Sequence, residues 1–235
     1  MHDAAGRFGD LTLDAFIHRL SSAEPVPGGG SASAVAAALG ASLVTMVADL
    51  SAGRPRYADH AVLHGRARVE GEALAARFLE LADEDASAYA AYASALKSPR
   101  DTEAEQAVRA AAIRTAARAA AEVPLRCLEV CRELAAVAES LAGRSNVNAS
   151  SDVVVASLLA EAAARGAAAN VLVNLPAVGD VAWAEATSTR VAALVDEVAT
   201  LARATETAVE AGTARVPLVG APQAGPATMT GAASR

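Results

Sequence analysis

Residues 31–48, SASAVAAALGASLVTMVA, decide the fold. The stretch runs for eighteen residues without a charge, and alanine supplies more of its apolarity than leucine or isoleucine does. Alanine has the best helix propensity, whereas strands favour β-branched and aromatic side chains. The segment is therefore predicted to be helical. Its length admits a membrane span. Ser31, Ser33, Gly40, Ser42 and Thr45 within it, and Asp49 just after it, favour a buried core helix instead.

The whole chain shares this character. Of its 235 residues 53% are hydrophobic but only 3% aromatic, and about a quarter are alanine. That composition excludes an all-β fold and suits helices packed through small side chains, with length enough for a core. The balance of 20 Lys+Arg against 27 Asp+Glu gives a net charge of −7. No basic run supplies the positive footprint that a nucleic-acid backbone requires, so nucleic acid is excluded as a partner. The opening MHDAAGRFGD carries acids where an export signal wants a basic stretch followed by an apolar one. A cytoplasmic protein without membrane attachment is expected. Cys127 and Cys131 share a helix face four residues apart, too strained for a disulfide and without a neighbouring zinc ligand. They read as buried, inert thiols of a reducing compartment.

Apolar spacing of three and four residues recurs along almost the entire chain. The first helix is predicted over 12–21, with Leu13, Phe16, Ile17 and Leu20 on one face. A second follows over 31–53, bounded by Pro55, and a third over 58–96. Thr102 and Glu105 form a capping-box start for a fourth helix that reaches 141, with Pro124 as a kink or division. After a polar loop at 143–150, Ser151 and Asp152 cap a fifth helix ending near Asn174, before Pro176. The last helix covers 181–211. The reading is all-α, a single-domain bundle of about six helices over 1–216. The tail from 217 to 235, rich in Gly, Pro and Ala, is expected to be disordered.

In such a bundle, function shows as polar groups where packing wants apolar ones. Leu74, Phe78, Leu81, Asp85, Ala88 and Tyr92 trace one stripe along the third helix, and its fourth member is an acid. Asp83 and Glu84 fall off the stripe and reach water. A buried Asp85 without a cation has its carboxyl pushed up and can serve as a general acid or base. Alternatively it pairs with an arginine or caps a neighbouring helix. Pro27, Gly28, Gly29, Gly30 and Ser31 lie directly before the body of the second helix. Three glycines allow close backbone approach, and a helix N-terminus favours an anion, although a plain helix–helix turn is the other reading. Asn146, Asn148, Ser150, Ser151 and Asp152 form a polar run. Asn170 and Asn174 lie four apart in an apolar segment, where their amides need partners from a ligand or from the protein. His60 and His64 lack a third metal ligand, and no metal is assigned. Arg54, Arg56, Lys97 and Arg100 lie at helix ends, either as solvated charges or as receivers of an anionic ligand.

These motifs, in this order, resemble the cyclodeaminase/cyclohydrolase family of folate enzymes. That family includes the cyclodeaminase half of formiminotransferase-cyclodeaminase and stand-alone bacterial methenyltetrahydrofolate cyclohydrolases. The likeness runs through LTLDAFIHRLSSAEPVPGGGSASA, GASLVTMVADLSAGRPRY, LADEDASAYAAYASALKSPRDTEAE, AAEVPLRCLEVC and NASSDVVVASLLAEAAARGAAANVLVNL. It implies an all-helical domain that forms a homodimer and acts on tetrahydrofolate derivatives, with no other cofactor. A separate formiminotransferase is a further implied partner. The family's catalytic aspartate matches Asp85. Its Pro-Gly-Gly-Gly loop matches Pro27, Gly28, Gly29, Gly30 and Ser31, and its SD…N…N segment matches Ser151, Asp152, Asn170 and Asn174. Arg54 and Lys97 are expected to hold the glutamate tail. The implied reaction is cyclodeamination or cyclohydrolysis at the 5,10-methenyl bridge, with Asp85 moving the proton. A helical binding module without turnover is the alternative. Ser98 in the K-L-P-K segment and LPAVGD after NVLVN depart from the family pattern, which bears on substrate detail.

Overall fold

A computed structural model describes residues 7–218. Among them are six α-helices: α1 (Leu13–Leu20), α2 (Gly29–Ser51), α3 (Ala61–Leu96), α4 (Glu103–Leu141), α5 (Ser150–Val178) and α6 (Val181–Glu210). Short 3-10 turns cover Phe8–Asp10, Pro55–His60 and Val147–Ala149. Helices α2, α3, α4 and α5 close a ring in which each packs on the next and α5 returns to α2, while α6 lies across α4 and α5. No described residue is in a strand. The all-α bundle expected from composition is the one observed.

Alanine, valine and leucine build the core, with Phe78 its largest fully buried side chain. Small residues set the helix spacing. A Cβ added to Gly40 of α2 would meet the Ala156 carbonyl of α5 at 3.0 Å. One added to Gly71 of α3 would meet the Ala41 carbonyl at 3.0 Å and the Thr45 amide at 3.1 Å, both on α2. Apart from Ser31, which turns to α3, the hydroxyls that made α2 read as a core helix are satisfied within it. Ser33, Ser42, Thr45 and Ser51 each donate to the carbonyl four residues earlier, so a buried helix tolerates them. Gly29–Ser51 and Val147–Val178 remain long and apolar enough by hydropathy to cross a membrane, and only part of each is buried in the bundle.

Several boundaries differ from expectation for identifiable reasons. Helix α2 begins at Gly29, with Gly28 as its N-cap, so two of the three glycines belong to the helix and not to a loop. Residues 55–60 form a 3-10 turn, and α3 starts at Ala61. The capping box is present: the Glu105 amide donates to the Thr102 hydroxyl, and the Glu105 carboxylate accepts from the Thr102 amide. Pro124 neither divides nor ends α4. Helix α5 continues through Pro176 to Val178, where Gly179 stops it in the left-handed conformation at φ 72°. Pro176 sits in the last turn, where it costs one helical bond. Ser151 and Asp152 do not cap α5, because Ala149 holds the N-cap position after a 3-10 turn capped by Asn146. In α1 only Phe16 is buried, while Leu13, Ile17 and Leu20 are exposed. Arg215 bonds back to Glu139 and Arg144 to the Val216 carbonyl. From 219 onward the expected tail lies outside the described residues.

The two mid-helix glycines of α3 make a matched test. A Cβ on Gly65 meets nothing within 4 Å, so Gly65→Ala should stabilise the protein by about 0.5–1 kcal/mol through helix propensity. Gly71→Ala should destabilise it by about 1–3 kcal/mol, because α2 has no room to retreat. Urea unfolding followed by circular dichroism measures both.

Candidate active site

The N-terminus of α2 has no side-chain cap of its own, because Gly28 cannot provide one. Asp85 of α3 supplies the missing acceptor. The Ser31 hydroxyl donates to Asp85 Oδ2 at 3.0 Å and also lies 3.1 Å from the Ala82 carbonyl, and the Ser31 backbone N–H donates to the Asp85 carboxylate as well. This approach requires glycine at position 30, since a Cβ there would overlap the carboxyl group of Asp85. One acid of the cluster at 83–85 is thus directed against a helix end. Its neighbours are held elsewhere. Asp83 accepts the Phe8 amide at 2.8 Å, and Glu84 is gripped by Arg77 at 2.7 Å and Arg126 at 2.6 Å.

Of the two structural alternatives for Asp85, the capping contact is present, and no arginine pairs with it among the described residues. Burial is the largest influence on Asp85 and pushes its carboxyl above the usual aspartate range; the Ser31 hydroxyl and amide pull it part of the way back. The opposite holds for Glu84, whose two arginines outweigh its burial and hold it low. Two adjacent carboxyls are thereby set apart in acidity.

The asparagines of α5 adjoin the same end. Gly29 of α2 faces Asn170, at 3.5 Å from its Nδ2 to where a Cβ would stand. Asn170 donates to the Gly166 carbonyl at 2.8 Å. Asn174 donates to the Asn170 carbonyl at 2.8 Å and, across the helix gap, to the Ala120 carbonyl at 3.1 Å. Ala120 lies four residues before Pro124, so its carbonyl is the one that the missing proline N–H leaves unpaired. Asn174 therefore repairs the helix bond that Pro124 removes. Neither Asn170 Oδ1 nor Asn174 Oδ1 accepts from any described residue, leaving two amide oxygens beside the Asp85 end.

Other expected site residues lie elsewhere on the chain. Arg54 is exposed beyond the C-terminus of α2, about 33 Å along the helix from Gly30. Ser151 and Asp152 begin α5, about 27 Å along it from Asn170. Lys97 caps the exposed end of α3, about 18 Å beyond Asp85. One chain thus brings together Pro27, Gly28, Gly29, Gly30, Ser31, Asp85, Asn170 and Asn174, and holds Arg54, Ser151 and Asp152 at the opposite end of the bundle. At that opposite end Asn146 is structural, with its amide on Ser51 at 2.8 Å and its side chain on the Leu50 carbonyl. A cavity of about 110 Å³ lies there, lined by Arg56, Tyr57, His60 and Ser150. Among the described residues no three His, Cys, Asp or Glu side chains group as metal ligands. His64 Nε2 donates to the Arg144 carbonyl. Cys127 and Cys131 are buried free thiols, and Cys131 is pushed up by its contact with Cys127 and by burial.

Sequence reasoning missed a cleft of about 570 Å³ at the Asp85 end, between α4 and the α5–α6 turn. Arg114, Arg118, Glu122 and Asp180 line it. Arg118 stacks 4.2 Å over Trp183 and pairs with Glu122 at 2.9 Å, whereas Arg114 has no acidic partner among the described residues. The cleft reaches Val178, one turn beyond Asn174. Two arginines four apart in AAIRTAARAAAE were the available signal.

Two outcomes are expected. Folded Asp85 keeps its proton to higher pH than the unfolded chain does, so its contribution to stability is lost as pH rises through its folded range. Asp85→Asn should therefore match or exceed the wild-type melting temperature at pH 8, with the advantage shrinking as pH falls. Asn174→Ala should destabilise by about 1–3 kcal/mol by orphaning the Ala120 carbonyl. That cost should fall in the Pro124→Ala background, where a restored N–H takes over; a double-mutant cycle measures the coupling.

Over residues 12–193 the chain matches the formiminotransferase-cyclodeaminase family. It is 39% identical over 177 residues to the methenyltetrahydrofolate cyclohydrolase of Methylorubrum extorquens, covering 75% of this chain and 85% of the relative. The formimidoyltransferase-cyclodeaminase of Rattus norvegicus is 36% identical over 194 residues, which make up 82% of this chain but only 36% of that relative. This chain thus spans little more than a third of the longer protein. The crystal structure of a formiminotetrahydrofolate cyclodeaminase from Thermotoga maritima superposes with a TM-score of 0.78 at 25% identity, covering 86% of this chain and 98% of that one.

Proposed function

For a chain that belongs to the formiminotransferase-cyclodeaminase family, we propose a one-carbon folate enzyme that makes or opens the 5,10-methenyl bridge of tetrahydrofolate, with Asp85 as its proton shuttle. The observation that carries this reading is the half-buried Asp85 carboxyl, held by Ser31 over glycines that leave the adjoining surface open. A carboxyl made less acidic by burial is a stronger base once ionised, and from this position it can accept a proton and return it.

In cyclohydrolysis, water attacks the cationic methenyl carbon and Asp85 takes one of its two protons, giving a neutral carbinol. One bridging C–N bond then breaks as the carbinol O–H releases the second proton to solvent, the departing nitrogen receives the proton held by Asp85, and the carbon remains as a formyl group on the other nitrogen. In cyclodeamination, N10 attacks the carbon of the protonated, cationic formimino group, whose nitrogen becomes NH2; Asp85 accepts the N10 proton and passes it to that nitrogen, and ammonia departs. Both routes pass a cationic bridge carbon that the carboxylate stabilises. The correspondence with the Methylorubrum cyclohydrolase over most of its length favours water chemistry. The likeness to the Thermotoga structure supports ammonia chemistry as the second reading, with a separate formiminotransferase as the supplier of its substrate.

Asn170 and Asn174 offer their free amide oxygens to the ring N–H groups of a pterin. Arg114 and Arg118 are better placed than Lys97 to receive the anionic glutamate tail, since their cleft opens one turn beyond Asn174.

Methenyltetrahydrofolate absorbs in the near ultraviolet, so both reactions can be followed directly. Wild type is expected to turn over one of the two substrates, and Asp85→Asn to lose about 10²–10⁴-fold in kcat. Arg114→Gln should raise KM and leave kcat nearly unchanged. Full activity in Asp85→Asn would remove the shuttle, and no turnover by wild type would leave a binding module.

A further inference from the structure

Among the hydroxyls of α2, that of Ser31 alone bonds outside the helix. Ser33, Ser42, Thr45 and Ser51 each donate to a carbonyl of α2 itself, while Ser31 reaches across to α3. Ser31 is 0% exposed, so a substrate on the open side of Asp85 cannot touch its side chain. Its hydroxyl has two acceptors in reach, Asp85 Oδ2 at 3.0 Å and the Ala82 carbonyl at 3.1 Å, and one proton to give. A charged acceptor makes the stronger bond, so an ionised Asp85 takes that proton. Once Asp85 carries a proton of its own, on either oxygen, the amide carbonyl of Ala82 is the better acceptor. Ala82 can receive the bond, because the helical N–H of Ala86 occupies only one of its two lone pairs.

We propose that Ser31 is a positioning residue for Asp85, its hydroxyl proton turning from Asp85 to the Ala82 carbonyl when the carboxyl is protonated and back when it ionises. This rests on the reading of Asp85 as the proton shuttle. The bond is selective for charge: it holds the carboxylate while that group acts as a base, and lets go of the neutral acid before its proton is handed on. Neither state leaves the buried hydroxyl without an acceptor, only a hydrogen moves, and Ser31 itself gains and loses no proton. The Ser31 amide N–H, in the first turn of α2 and without a partner inside the helix, adds a second donor to the ionised form. No other charge competes for Asp85. Helix α2 carries no titratable side chain before Asp49, and α5 brings the neutral Asn170. Helix α4 brings Arg126, which Glu84 takes, and the Phe8–Asp10 turn meets Asp83, which the Phe8 amide and Arg7 hold. The Pro55–His60 turn adjoins the opposite end of α3. Burial and the two Ser31 donors are what set the acidity of Asp85.

Two measurements on the full chain need no substrate. In a carbon-13 titration, Ser31→Ala should move the Asp85 resonance up by about one pH unit, through loss of a hydrogen bond made mainly to the ionised form. Ser31→Cys, close in shape but a weak donor, should fall between the two and carries the test if the alanine variant does not fold. An Asp85 titration that stays in place or moves down in a folded variant overturns the proposal, since a hydroxyl that serves packing alone leaves it unmoved. Neutron diffraction from deuterated crystals should show the Ser31 deuterium directed at Asp85 above the titration range of that carboxyl and at the Ala82 carbonyl below it. A deuterium on the same acceptor at both pH values overturns the turn. With substrate, the acid limb of kcat/KM should move up in Ser31→Ala by the amount the resonance moves, with KM near that of wild type. A raised KM over an unmoved limb means that Ser31 acts on the folate directly, and overturns the positioning role. Wild type without turnover sinks the folate reading alone, because titration and diffraction decide the role of Ser31 without it.

Discussion

A carboxylate from one helix seated on the bare N-terminus of another is the contact on which this site depends. Gly28 leaves α2 without a cap, Gly30 leaves room, and Ser31 donates from both its amide and its hydroxyl. Each feature makes sense only with the others, because a side chain at position 30 would exclude Asp85 and a self-capping residue at 28 would remove the need for it. The same contact fixes the register of α3 on α2, which Gly71 then continues toward the far end of the pair.

The second organising contact is a repair. Pro124 deletes a hydrogen bond in the middle of the longest helix, and Asn174 restores an equivalent one from α5. The proline and the asparagine form one device that ties α4 to α5 beside the Asp85 end. Asn174 thus has a structural duty for its amide nitrogen while its amide oxygen is left over. The two readings of such a residue, partner of the backbone or partner of a ligand, are compatible because they use different atoms.

Much of this was legible in the chain. Alanine content and periodicity gave the bundle, the capping box at Thr102 gave the start of α4, and the stripe through Leu81 isolated Asp85 before any geometry was known. The departures share a physical cause: local signals cannot report which partner a group finds across space. Ser151 and Asp152 looked like caps because residues of that type cap helices, yet a preceding 3-10 turn had already supplied the entry. Pro176 looked like a stop but fell in a turn where the loss of one bond is tolerated. Leu13 and Ile17 looked inward because they repeat at helical spacing, and yet one chain leaves them exposed. The split of the motif residues between two ends was invisible for the same reason, since order along a chain carries no distance. The arginine cleft went unseen because Arg114 and Arg118 meet Gly179 and Trp183 only after α5 turns back into α6.

The acidity of the protein as a whole says little about its chemistry; the separation between neighbours says more. Glu84 is held ionised by Arg77 and Arg126, and Asp85, one residue on, is pushed toward its neutral form by burial. The central claim is that burial sets this one carboxyl above the ordinary aspartate range while Glu84 beside it is held low. Carbon-13 NMR titration of the aspartate carboxyls, compared with Asp85→Asn, tests it most directly. The account predicts one resonance titrating clearly above the ordinary aspartate range and missing from the variant. A spectrum in which every aspartate titrates at or below that range would contradict it.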